Sequence, residues 1–357
     1  MITRLLVSLV IGGVLFYVLK AGGLPVVPSD EAWSRLQPWA LFAFIPLWLF
    51  GTYLRVARWV HLLRPIEPKI SKTRVIGVGL LGFAALFAPM RMGEIARPLL
   101  LARDRQIGFV KAAGTVVAER IVDGVMLTVI LALGLATATP VSPLPDRLGD
   151  LKLPVALVPA IAKSALLFFV LAFTAMALFY FWRATAHRIV SNLVGLISKP
   201  LAKFITEQVE RVSDSLSFLM SRQHGIPFLR DTVGYWLVSA FGFMVLLRGS
   251  GVPASFAQAC VTMGVLGLST TLPGPPGFYG MYQIGAYCGI AMFFPQQLLT
   301  SGVVFTFISY CTQLATAALS LLLGLWILGR SKRPAVVADN NGSTASLLSA
   351  PPTQSSR

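Results

Sequence analysis

The chain reads as an all-α polytopic membrane protein with about six transmembrane spans and two re-entrant helical hairpins. Three observations lead there. Apolar residues make up 55% of the 357 residues and charged residues only 12%, and the mean hydropathy is +0.74. Apolar runs near the ~20 residues needed to cross a bilayer recur from one end to the other. Two apolar stretches are interrupted by proline and glycine, which break helices, and the basic residues gather in a few loops, as the positive-inside rule describes.

Taken in order, the run 5-LLVSLVIGGVLFYVL-19 follows Arg4 and has no small-residue cleavage site after it. It reads as an uncleaved first span over about 4–22. Further spans fall at about 38–60, 111–138, 155–182, 231–248 and 297–328. The stretch 75–89 is too short for a comfortable crossing and ends at Pro89, while 256–272 and 277–294 flank the breaker 273-PGPPG-277.

Loop charge chooses the threading. Six Lys and Arg lie between 55 and 74, five between 91 and 111, and seven between 183 and 230. A crossing at 75–89 would put two strongly basic loops on opposite sides, against the positive-inside rule. If instead 75–101 enters from the cytoplasm and returns, and 256–294 does the same from outside, 23 of the 30 basic residues lie inside and five outside. Two hairpins entering from opposite faces outline an inverted repeat. The expected organisation is a membrane domain over 1–330, with halves at about 38–182 and 231–328. A cytoplasmic amphipathic linker, 183–230, joins them, and a disordered cytoplasmic tail spans 331–357. Both termini are then cytoplasmic, in a multi-pass protein of the cell (inner) membrane.

The net charge of +16 would suggest nucleic acid in a soluble protein, but here basic loops facing anionic lipid account for it, and no nucleic-acid module is visible. Cys260, Cys288 and Cys311 lack CxxC spacing and read as small core residues. His61, His187 and His224 are scattered, so neither a metal site nor a cofactor is expected. Gly77, Gly79 and Gly82 satisfy GxGxxG inside an apolar segment with no strand before it, which excludes a dinucleotide site. The sequon at Asn341 falls in the cytoplasmic tail.

Chemistry concentrates at 91–123. In 91-RMGEIARP-98, Arg91, Glu94 and Arg97 share one helical face, and Gly93 permits close approach. Lys111, Thr115, Glu119 and Asp123 form a polar stripe on an apolar helix, with Arg120 about 100° away. Such a stripe faces protein or water, because charge at bilayer depth costs roughly 2.5–3.5 kcal/mol per residue even on a lenient scale. Three acids, Glu94, Glu119 and Asp123, balance three arginines, Arg91, Arg97 and Arg120. A headgroup-binding cavity and a structural ion-pair network both fit. In 271-TLPGPPGFYGMYQIG-285, Pro273, Gly277 and Gly280 imply unwound backbone, with Tyr279, Tyr282 and Gln283 supplying neutral hydrogen-bonding groups. Gly285 and Gly289 read as a close helix contact.

The combination Pro-x-Arg-x-Gly-Glu-x-x-Arg (89–97), Glu-Arg-x-x-Asp (119–123) and a late Pro-x-x-Pro-Gly turn resembles the lysylphosphatidylglycerol synthase/flippase transmembrane family over roughly 4–330. The resemblance implies a flippase-like fold with re-entrant helices that handles lipids or lipid-linked molecules between leaflets. Two departures stand out. No soluble transferase domain follows the last span, so synthase activity is not expected. The late turn carries Gln283 where the family pattern places an acid. The expected function is binding or moving an anionic or lipid-linked amphiphile, with membrane lipids as partners and the oligomeric state (a homo-oligomer included) left open. An integral membrane enzyme using Glu119 or Asp123 as base, or a non-catalytic scaffold, stand as alternatives; no DxD, HxxxE or P-loop supports the enzyme.

Overall fold

The computed structural model of the chain describes residues 2–88, 92–103, 107–181, 221–271 and 275–330. The predicted linker up to residue 220, the tail, the sequon, Arg91 and Pro273 lie outside these residues. Every regular element among the described residues is a helix, apart from an isolated bridge between Leu148 and Leu151.

Twelve α-helices are used below. They are α1 (Ile2–Ala21), α2 (Asp30–Trp33), α3 (Pro38–Ala57), α4 (Trp59–Leu63), α5 (Lys72–Ala85) and α6 (Gly93–Ala102), followed by α7 (Phe109–Thr137), α8 (Val158–Phe181), α9 (Arg222–Gly249), α10 (Phe256–Ser269), α11 (Met281–Ala291) and α12 (Ser301–Arg330). Local chemistry sets several boundaries. Pro38 opens α3, where its missing N–H costs nothing. The Ser71 hydroxyl accepts from the Arg74 amide at the start of α5. Ser255 and Gln258 form a reciprocal capping box on α10.

Among the described residues, four helices are long and apolar enough to cross a membrane: 38–63 (α3 continued through α4), 155–174, 222–249 and 301–330. The six-span expectation counted two more. One is the first helix, α1, which spans 20 residues. The other is α7, 29 residues, or about 44 Å at ~1.5 Å per residue, enough to cross a ~30 Å hydrocarbon core. It also carries Lys111, Glu119, Arg120 and Asp123.

The packing repeats itself. The helices α3 and α9 pack along each other at the centre. The α5–α6 hairpin lays α5 on α12 and α6 on α7, and the α10–α11 hairpin lays α10 on α7 and α11 on α12. Exchanging the first half for the second leaves this pattern of neighbours unchanged. Glycines make the close crossings. A Cβ on Gly93 would stand 2.0 Å from the Gly82 carbonyl oxygen, and one on Gly289 2.7 Å from the Thr262 Cα. Gly77 and Gly79 press on α12 and α3, so the GxGxxG run is a packing surface of α5. Cys260 and Cys288 are buried, as expected. Cys311 is exposed, correcting its reading as a core residue, because it sits on an outward face of α12.

The broken ends of the two hairpins touch. The Gly277 amide donates to the Phe87 carbonyl at 2.8 Å, and the Phe87 and Phe278 rings meet edge to face at 5.5 Å. Gly277 and Gly280 have φ of 69° and 81°, and Phe278 has φ of 57°. A bulky side chain in the left-handed region costs roughly 1–2 kcal/mol, which the Phe87 contacts offset.

Candidate functional site

Five ionised side chains meet where α3, α4, α6, α7 and α9 converge. Arg58, at the α3–α4 junction, is fully buried, as is Glu119; Arg97 and Asp123 are each 7% exposed. Arg58 Nη2 donates to Glu119 Oε1 at 3.1 Å and to Asp123 Oδ2 at 2.7 Å, and its Nη1 reaches Thr232 on α9 at 3.2 Å. Arg97 Nη1 donates to Glu119 Oε2 at 3.0 Å. Arg120 reaches Glu119 and Asp123, the latter at 2.9 Å. Trp59 sits beneath the Arg97 guanidinium at 5.1 Å and donates to Thr115 at 3.0 Å.

Glu119 therefore accepts from three arginines on three segments. The polar stripe of α7 is buried at Thr115, Glu119 and Asp123 but reaches the surface at Lys111. Two expectations change. Arg120, read as pointing away from the stripe, curls back to it, because a guanidinium on a long stem reaches residues one and three positions away. The pairing of three acids with three arginines omitted Arg58, which lies at the centre of the cluster. The loop count places Arg55 and Arg58 in a cytoplasmic loop, but Arg55 lies within α3 and Arg58 at the tight junction between α3 and α4. A signal was present: Arg55 and Arg58 are three apart, so they share a face, and apolar residues continue through Trp59, Val60, Leu62 and Leu63 with no turn residue before Pro65.

Beside this cluster lies a cavity of about 520 Å³. The first half supplies its charged wall: Arg55 from α3, Glu94 from α6, and Arg120 and Asp123 from α7. The second half supplies a neutral wall that includes Tyr235, Trp236, Ser239, Thr270, Thr271, Phe278 and Gln313. Arg55 has no ion-pair partner among the described residues; its guanidinium lies 5.6 Å from the Phe83 ring and 5.8 Å from the Tyr235 ring. Among the described residues, four buried polar atoms on the cavity lining make no hydrogen bond: Asp123 Oδ1, Arg120 Nε, Trp48 Nε1 and Trp236 Nε1. Each such atom costs about 1–3 kcal/mol unless something binds it.

The predicted residues thus divide. Glu94, Arg120 and Asp123 line the cavity. Arg97 and Glu119 lie behind it, with the Arg97 stem against Gly82. From the second-hairpin turn, Phe278 lines the cavity, while Gly277, Tyr279, Gly280, Tyr282 and Gln283 do not. These five build the turn. Gln283 Oε1 accepts from the Gly280 amide at 2.7 Å and caps α11. Tyr282 is buried against Tyr310 at 5.2 Å, and Tyr279 stacks on Phe16 and meets Tyr310 edge to face. A Cβ on Gly280 would meet the Leu15 side chain of α1 at 2.5 Å.

The family model described as the lysylphosphatidylglycerol synthase TM region matches residues 2–330. The chain belongs to that family. The match extends over every helix described above, so the ion cluster and the cavity both lie within the family's membrane region, and the protein is an integral membrane member of a lipid-related family. No curated protein and no solved structure matches the chain.

Proposed function

We propose that the protein binds a lipid or lipid-linked amphiphile and moves it between bilayer leaflets, with the headgroup in the central cavity and the chains in the surrounding lipid. In this reading the α5–α6 and α10–α11 hairpins are re-entrant and dip from opposite faces, and the exchangeable packing pattern is that of an inverted repeat. The observation that carries the proposal is the pairing of walls. Arg55, which makes no ion pair among the described residues, faces the same space as Glu94, Arg120 and Asp123, opposite a wall of aromatic and hydroxyl side chains. Inward-facing charge at membrane depth marks a substrate path when structural pairing does not use it up. Here pairing uses up Glu119 but not Arg55.

Roles follow from position. Arg55 and Arg120 hold the anionic part of a headgroup, since a guanidinium offers a planar fork of donors to phosphate or carboxylate. Asp123 Oδ1 and Glu94 balance charge and accept from headgroup donors. The buried cluster of Arg58, Arg97 and Glu119 fixes the charged wall without touching the ligand. The test is reconstitution of the full-length protein into liposomes with fluorescent lipids of several headgroups, followed by an assay of outer-leaflet accessibility. Exchange above protein-free liposomes for at least one headgroup is expected. Wild-type protein that accelerates none of them would end the proposal.

A further inference from the structure

A second pocket, of about 190 Å³, lies apart from the central cavity. It is formed by the last turn of α3, α4, the residue after it, the first residue of α5, and α9. His61, Arg64, Lys72, Arg230 and Asp231 line it, and Tyr53 stands at its rim, 46% exposed.

Its charges do not cancel. Asp231 is buried, and both of its oxygens are engaged. Arg230 donates to Oδ1 from Nε at 2.9 Å and from Nη2 at 2.8 Å, and His61 Nε2 stands 3.3 Å from Oδ2. No ion pair runs from that carboxylate to Arg64 or Lys72. Among the described residues neither makes an ion pair. Two cations from separate helical segments therefore face one small concavity beside a third, Arg230, with a single acid among them. Like charges gathered this closely repel, and a bound anion with several acceptor oxygens relieves the repulsion.

We propose that this pocket binds one phosphate-class oxyanion, with Arg64 and Lys72 as its principal ligands and with Arg230, oriented by Asp231, as a further donor. The volume suits a phosphate and a short ester stub rather than a whole headgroup with its chains. Two sources share this chemistry: the phosphodiester of an anionic lipid in the adjoining leaflet, and free phosphate. The exposed Tyr53 ring at the rim is the kind of side chain that sits at headgroup level. The proposal is independent of the reading of the central cavity.

The experiment uses full-length protein carrying Arg55→Ala, so that the free cation of the central cavity is absent, and compares it with the same protein also carrying R64Q and K72Q. Both substituted positions are exposed, so folding is retained. The melting temperature is followed while phosphatidylglycerol, phosphatidylcholine or inorganic phosphate is titrated into the micelles. The expected result is stabilisation by phosphatidylglycerol, with the half-saturating amount raised at least about tenfold in the R64Q/K72Q protein. A response to phosphatidylglycerol alone assigns the lipid source, and an equal response to inorganic phosphate assigns the free anion. Absence of any response, or a response that R64Q/K72Q leaves unchanged, overturns the proposal while leaving the central cavity untouched.

Discussion

In the first hairpin, α5 and α6 cross at Gly82 and Gly93, and the space left by the missing Cβ of Gly82 is taken by the stem of Arg97. In the second, α10 and α11 cross at Gly285 and Gly289 against Ser269 and Thr262, and residues 249–329 contain no Asp, Glu, Lys or Arg. Glycine close approach shapes both hairpins, but the first uses it to seat a charge and the second to pack neutral side chains. The backbone geometry is thus separable from the chemistry that the cavity presents. The second half positions a neutral wall, and the first half carries all the charge that faces it.

The sharpest way to break this contrast is to remove the acid that organises the first half. Glu119→Ala leaves Arg58 and Arg97 buried without their shared carboxylate and is expected to cost about 3–5 kcal/mol. The change is read as lost monodisperse protein on size exclusion and a large drop in melting temperature. A near-neutral result would mean that the cluster is not the anchor of the charged wall. A smaller effect tests the shared device: Gly93→Ala and Gly289→Ala should each destabilise by about 1–3 kcal/mol through overpacking, measured by unfolding in detergent. If the second is neutral, the resemblance between the crossings is superficial. Smaller again is Gln283→Ala, which removes the cap on α11 and is expected to cost about 1 kcal/mol without altering lipid exchange. Loss of exchange at unchanged stability would instead restore Gln283 as a cavity residue.

The helices were legible in the sequence because apolar runs and Pro-Gly breaks are local signals. The buried pairing was not. Arg58 and Glu119 are 61 positions apart, and nothing in the spacing of either segment names the other. The positive-inside rule also worked against Arg55 and Arg58, since an arginine after an apolar run looks like loop charge until the helix is seen to continue past it. Gln283 carries a different kind of signal. Gly280 and Gln283 have the separation of an N-cap and its third helical residue, so the capping role is readable from spacing alone. The close contacts at Gly93, Gly285 and Gly289 were readable because small residues at helix crossings have few other uses.

The central claim is a division of labour: the Arg58–Glu119–Arg97 core holds the wall, and Arg55 meets the lipid. Arg55→Ala, measured in one preparation for both melting temperature and leaflet exchange, tests it most directly. The account predicts a stability loss within about 1–2 kcal/mol, the worth of its two ring contacts, together with at least about a tenfold fall in exchange rate. Exchange at the wild-type rate by well-folded Arg55→Ala protein would contradict it.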